Sequence, residues 1–236
     1  MKKQYLLLSL LCLAAFIPAC DKDESDYPSY ISFATVAVPA QSSRNYYFVL
    51  DDGATVYPSD KDRIMYNANG KNGNRAVIYY NFLASSVPGF DHNIALYDVV
   101  DITSKEIVMA DNAGSLLTLG DSPVGIDEAR ISGDWLDICC YYPAQNATSS
   151  AENRISLVDN RTVQPPTEMP QGYTYLELRL KTNGETSPLN IRRSCISYRL
   201  GEYGSASTGG KGLYLKVVPP DGEPTYLQLD YDLKTK

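Results

Sequence analysis

"YYFVLDDGATVYPSD", residues 46–60, sets two adjacent carboxylates and a glycine between two hydrophobic runs. Either Asp51 and Asp52 begin an acid/base or metal site, or Asp51-Asp52-Gly53 is the corner between two strands. "FVL" and "ATVY" are strand-like, and Asp-Gly is a strong hairpin signal because glycine takes positive φ at no steric cost. A calcium loop of the EF-hand type would need further oxygen ligands at alternate positions, yet the chain continues Ala54, Thr55, Val56. The stretch therefore predicts a hairpin, with both aspartates at a solvated corner.

Similar short extended runs lie on either side of it. "ISFATVAV" (31–38) precedes it, and "NRAVIYYNFLAS" (74–85) and "HNIALYDVVDI" (92–102) follow, the last running into "TSKEIVM". Strands at this spacing read as a small barrel or sandwich. A stretch rich in Gly, Asp, Ser and Pro, residues 110–129, then breaks the pattern. Residues 21–236 exceed the common domain size of about 100–150, so the break marks a boundary, with a linker over 112–123 between units at 31–111 and 124–236.

The second unit is again extended. In "RISGDWLDICCYYP" (130–143), Leu136, Ile138, Cys140 and Tyr142 fall on one face and Trp135, Asp137, Cys139 and Tyr141 on the other. "NRISLV", "YTYLELRLK", "RSCISYRL", "GLYLKVVP" and "TYLQLDYDL" complete a set that makes a two-sheet sandwich. With 19 Tyr against 5 Phe and 1 Trp, the aromatic content favours half-exposed sheet faces. Tyrosines are paired at 46–47, 79–80 and 141–142; strand alternation gives one ring of each pair to the core and one to the outside. The class is all-β.

"YYFVLDDGATVYPSD", then "GNRAVIYYNFL", then "IALYDVVDITSKEIV" resembles the NigD-like lipoproteins of Bacteroidales over most of residues 30–111, and the second half resembles their C-terminal domain more loosely. The resemblance implies an N-terminal OB-like barrel followed by an immunoglobulin-like β-sandwich. It also implies a role of the bacteriocin-immunity kind.

The first residues carry an address. Lys2 and Lys3 precede the apolar run "YLLLSLLCLAAF", which has the length of a signal peptide core. "IPAC" ends it, and Ala19 followed by Cys20 resembles a lipobox: residues 1–19 are a signal peptide, Cys20 is the lipidated N-terminus, and residues 20–30 are a tether. Lys22, Asp23 and Glu24 resemble the surface-export signal of such lipoproteins. The expected location is the outer membrane, displayed at the cell surface or otherwise on its periplasmic face. Loss of Lys2 and Lys3 leaves 19 basic residues against 28 acidic, a net charge of −9, which makes nucleic acid a poor partner.

Catalytic signals are few. His92 is the single histidine, no CxxC pair is present, and no G-x-S-x-G elbow occurs, so neither a zinc site nor a serine triad is indicated. His92 reads as a strand start. "GSASTGGKG" (204–212) departs from a phosphate loop at Ser205 and Gly212 and reads as a hairpin loop. No cofactor, metal or catalytic residue is expected. Cys12 leaves with the signal and Cys20 takes the lipid, so Cys139, Cys140 and Cys195 remain. They are either three buried thiols or one bridge from Cys195 to Cys139 or Cys140, since neighbours on one strand point apart. The reading is a non-enzymatic envelope lipoprotein, held to the membrane by its anchor, that binds a protein, peptide or glycan. Its rivals are a carbohydrate- or surface-layer-binding module and an uncharacterised hydrolase.

Overall fold

The computed structural model describes residues 27–39, 45–61, 63–144, 154–182, 187–204 and 209–231. Five strands close into a barrel in the order β1-β2-β3-β5-β4. They are β1 (Tyr30–Ala37), β2 (Tyr47–Leu50), β3 (Thr55–Pro58), β4 (Arg75–Phe82) and β5 (His92–Asp101). All neighbours are antiparallel except β3 and β5. Period-2 alternation builds the core: Ala34 and Val36 of β1, Phe48 of β2, Val56 of β3, Ala76 and Ile78 of β4 and Ile94 and Leu96 of β5 are all fully buried.

The corner between β2 and β3 is the hairpin the sequence predicts. Leu50 N–H bonds to Ala54 O at 2.9 Å and Gly53 N–H to Leu50 O at 2.9 Å. Gly53 has φ +88°, a conformation that L side chains rarely adopt. Asp52 Oδ1 accepts the Ala54 N–H at 2.9 Å, an Asx turn that fixes the bend.

The second unit is a sandwich of a five-stranded sheet, β14-β13-β11-β10-β7, and a four-stranded sheet, β6-β12-β9-β8. Its strands are β6 (Thr103–Glu106), β7 (Val108–Ala110), β8 (Gly125–Ser132), β9 (Trp135–Ala144), β10 (Ile155–Asn160), β11 (Tyr173–Leu180), β12 (Ser187–Arg199), β13 (Gly212–Val217) and β14 (Thr225–Asp230). Leu136, Ile138, Cys140 and Tyr142 of β9 face Leu176, Leu178 and Leu180 of β11 across one core. The opposite face of β9 carries Trp135, Asp137, Cys139 and Tyr141, as alternation requires. Each tyrosine pair divides as expected: Tyr46, Tyr80 and Tyr142 are buried, while Tyr47, Tyr79 and Tyr141 are partly exposed.

The boundary differs from the sequence reading. "TSKEIVMA" was expected to end the first unit, but β6 pairs in parallel with β12 and β7 in parallel with β10. The barrel ends at Ile102, whose N–H bonds to Arg75 O at 3.0 Å. Residues 112–123, expected as a linker, hold a short helix α1 (Ala113–Leu119) inside the second unit, capped by Asn112 Oδ1 on the Ser115 N–H at 3.0 Å. Strand character runs unbroken across the true boundary, and the partners of β6 and β7 lie far along the chain, so local composition could not mark it.

Candidate functional site

The two units meet at a cluster of charges. Arg75 begins β4 and is 1% exposed. Its Nη2 lies 2.6 Å from Asp137 Oδ2 and its Nε donates to Oδ1 at 3.3 Å, a forked pairing across the junction. Asp137 is 4% exposed on the outer face of β9, and Ser197 Oγ of β12 donates to its Oδ1 at 2.5 Å. Asp51 enters from the β2–β3 turn. Its Oδ1 is 2.8 Å from Arg75 Nη1 and its Oδ2 accepts from Arg130 Nη2 of β8 at 2.5 Å. Two carboxylates therefore meet two guanidinium groups, and the buried charge is balanced.

Rings frame the cluster. Phe33 of β1 lies 4.2 Å from the Arg130 guanidinium and 5.7 Å from that of Arg75. Trp135 lies 5.8 Å from Arg75 and 5.4 Å from Arg199. These are cation–π distances, and desolvation strengthens such contacts. Burial alone would lower the Arg75 pKa, but Asp137 and then Asp51 hold it above its ordinary value.

Asp51 was expected at a solvated corner beside Asp52; it instead turns inward and joins the barrel to the sandwich. The hairpin aims these neighbours in different directions. No local signal reports this, because Arg130 is 79 residues away. The signals that could have found the cluster are a lone Arg opening the apolar run "RAVIYY" and a lone Asp inside "WLDICC".

Above the cluster a cleft of about 520 Å³ opens at the mouth of the barrel. Ile31, Phe33, Leu50, Tyr80 and Phe82 supply its apolar lining, and Asp51, Asp52, His92 and Arg130 its polar groups. His92 is the first residue of β5, where the sequence placed it, and its ring packs 4.9 Å from Phe82. The neighbouring Asp91 carboxylate accepts Thr55 N–H at 2.8 Å and Thr55 Oγ1 at 2.7 Å, bonds that lower its pKa.

A second polar cluster sits on the outer face of the five-stranded sheet. Glu177 of β11 accepts from Tyr175 OH at 2.9 Å, Asn160 Nδ2 at 3.0 Å and Arg179 Nη1 at 2.8 Å, with Lys216 Nζ at 4.0 Å. Burial raises its pKa, but these partners hold it below the usual carboxylate value. The adjoining cavity is about 90 Å³, the volume of a few waters.

Cys139 and Cys195 face each other across β9 and β12 and form a disulfide, with Cα atoms 4.0 Å apart. Cys140 is a buried thiol on the core side. Among the described residues no group of three or more His, Cys, Asp or Glu could hold a metal ion, and no helix is long and apolar enough to cross a membrane. Ala19, Cys20, Lys22, Asp23 and Glu24 lie outside the described residues, as do positions 205–208 of the 204–212 loop.

The profile of the NigD-like N-terminal OB domain matches residues 33–102, and that of the NigD-like C-terminal beta sandwich domain matches residues 106–231. The chain belongs to the NigD-like family. Both profiles place the change of unit between 102 and 106, where the strand pairing places it. A Bacteroides vulgatus protein of unknown function resembles this NigD-like chain at 26% identity and TM-score 0.72, over 87% of this chain and 92% of that one. A putative toxin-related protein from Parabacteroides distasonis shares 21% identity at TM-score 0.62, over 86% and 94%. A NigD-like immunity protein from Bacteroides caccae shares 18% identity at TM-score 0.57, over 86% and 92%. These last two likenesses are of fold. Among curated proteins nothing matches the chain.

Proposed function

We propose that this NigD-like protein is a non-enzymatic lipoprotein of the cell envelope, anchored through Cys20, that captures a partner in the cleft between its two units. The observation that carries this reading is the state of the cleft's charged floor. The Asp51 carboxylate is held by two guanidinium groups, from Arg75 and Arg130. A carboxylate so held presents a charged surface fixed in place by its partners. An apolar wall beside fixed charges suits recognition. The name of the B. caccae relative suggests an immunity role, with the partner a toxin intercepted near the membrane. An anchor would raise the local concentration of the cleft there.

Two experiments test it. Cys20→Ala should move the protein from the membrane fraction to the soluble one, and retention in the membrane would remove the anchor. A photoreactive residue at Phe82, on the cleft rim, should capture a partner in living cells. The same residue at Val163, exposed on the sandwich, should not. Adducts from Val163 alone would move the binding surface off the cleft.

A further inference from the structure

The cleft has a wall of backbone. Strand β1 runs from Tyr30 to Ala37 and pairs with β4 over residues 30–35. Its pairing with β2 covers Ala34–Ala37 only, because β2 ends at Leu50 opposite Ala34 and the chain then turns through Asp51. The N-terminal half of β1 thus passes beyond the end of β2, and this overhang borders the cleft: Ile31, Ser32 and Phe33 line one side, Leu50 and Asp51 the other.

The direction of the overhanging backbone groups follows from alternation. Val36 N–H bonds to Asn74 O at 2.9 Å and Val36 O accepts from Gly73 N–H at 2.8 Å, so Val36 faces the β4 side. Along a strand both polar groups of successive residues alternate between its two edges. Ala34 and Ser32 therefore also turn toward β4, whereas Thr35 turns toward Val49 of β2. Phe33 and Ile31 turn the same way as Thr35, into the cleft. Residues 27–29 do not double back over this edge: Ser29 N–H bonds to Asn81 Oδ1 at 2.5 Å, and Asn81 Nδ2 donates to Tyr27 O at 3.1 Å, so they continue beside β4.

We infer that this overhang is a docking edge for an extended peptide segment of a partner, which adds as a short strand beside Tyr30–Phe33. A row of backbone donors and acceptors facing a cleft is complemented by another backbone, the mode of β-strand addition. Four residues of edge span about 13 Å, enough for a short strand. The side chains flanking the edge are apolar and outward, with Ile31 63% and Phe82 42% exposed, so the incoming strand carries apolar side chains opposite them. The volume of about 520 Å³ lies within the ~300–1,000 Å³ range of ligand sites. This inference rests on the binding role proposed above and specifies the partner's chemistry.

The test is selection of linear 12-residue peptides, from a displayed random library, on the chain from Asp21 to Lys236. The best peptide is then synthesised and titrated. Hydrogen exchange should show the Ile31 and Phe33 amides unprotected alone and protected with peptide. Ile31→Pro removes the outward N–H and blocks the edge, yet spares the β1–β4 ladder, since Ile31 does not face β4. It should weaken binding at least about ten-fold, the scale of one lost hydrogen bond plus a clash. Ile31→Asp, which keeps the backbone donor, should weaken it by removing the apolar contact, and stands in if the proline variant fails to fold. Protection of both amides without peptide would overturn the inference: if independent of concentration, the chain's own segments cover the edge, and if concentration-dependent, a second copy does. Peptides that bind without protecting these amides keep the binding role and remove this site. A library with no binder, while Phe82 still forms adducts in cells, overturns the peptide and leaves a partner of another kind.

Discussion

Two buried ionic clusters occupy the outer faces of the two sandwich sheets, and they differ in where their partners come from. Glu177 is satisfied by its own sheet: Tyr175 and Arg179 lie two positions away on the same strand face, and Asn160 and Lys216 on the strands beside it. Asp137 is equally buried, at 4% exposure, but its main counter-charge comes from the barrel, 62 residues earlier. The first cluster finishes one sheet. The second ties two units together and leaves a large cleft beside it. Burial of a charge is tolerated in both because each is paired and hydrogen-bonded; only the junction uses the pairing to set the relation between two folded bodies.

The largest expected effect breaks the junction. Arg75→Ala leaves the buried Asp137 without its forked partner, with only Arg130 Nε at 3.7 Å as counter-charge, and should cost about 3–5 kcal/mol in urea unfolding. Glu177→Ala should cost less, because Arg179 and Lys216 are partly exposed and can turn to water. Equal losses from the two substitutions would mean that the junction pairing is no different from one made within a single sheet.

The disulfide sharpens the comparison next. It closes a sequence separation of 56 on the face that carries Asp137 and Ser197. The double change Cys139→Ser with Cys195→Ser should lower stability by about 2–4 kcal/mol, chiefly by freeing the unfolded chain. Thermal unfolding in the presence and absence of reductant measures the same quantity, and a wild-type midpoint indifferent to reductant would contradict it.

Gly53→Ala probes the turn that aims Asp51. A Cβ there meets no atom within 4 Å, so the penalty is conformational, from φ +88°. A loss of about 1–2 kcal/mol is expected in urea unfolding. No change in stability would mean that the turn relaxes and Asp51 reaches Arg75 by another route.

The smallest effect is in pH dependence. Glu177 is held below its ordinary pKa by its partners, so its contribution to stability is complete above the unfolded-state value of about 4.3. That contribution is lost as pH falls through the lower folded value. Glu177→Gln should therefore make the acid limb of the stability curve shallower below about pH 4 and leave the slope at neutral pH unchanged. A steeper acid limb in the variant would mean that the Glu177 carboxylate does not stabilise the fold through its ionised form.

Much of the fold was legible in local pattern. The Asp-Gly corner, the division of each tyrosine pair between core and outside, and the two faces of β9 all follow from a period of two and from glycine's access to positive φ. The boundary was less legible, since Thr103–Glu106 and Val108–Ala110 are strand-like in themselves and reveal their sheets only through parallel partners far along the chain. The candidate site was mostly hidden. Local pattern puts Asp51 in solvent and His92, correctly, at a strand start, and nothing local groups Arg75, Arg130, Asp137 and Ser197.

By itself the sequence determined an all-β chain of two units, the hairpin at Asp51–Gly53, the two faces of β9, the division of the tyrosine pairs and the resemblance that family profiles bear out. These are consequences of short-range rules: alternation, turn chemistry and steric preference act within a few residues. The tertiary structure alone decided that Asp51 faces inward, that Arg75 and Asp137 meet, that Cys195 bonds Cys139 rather than Cys140, and that β1 overhangs β2 to border a cleft. Each of these depends on which distant strands become neighbours. Pairing and close packing settle that choice, because a buried charge or an open strand edge is defined by what lies across from it and not by what precedes it in the chain.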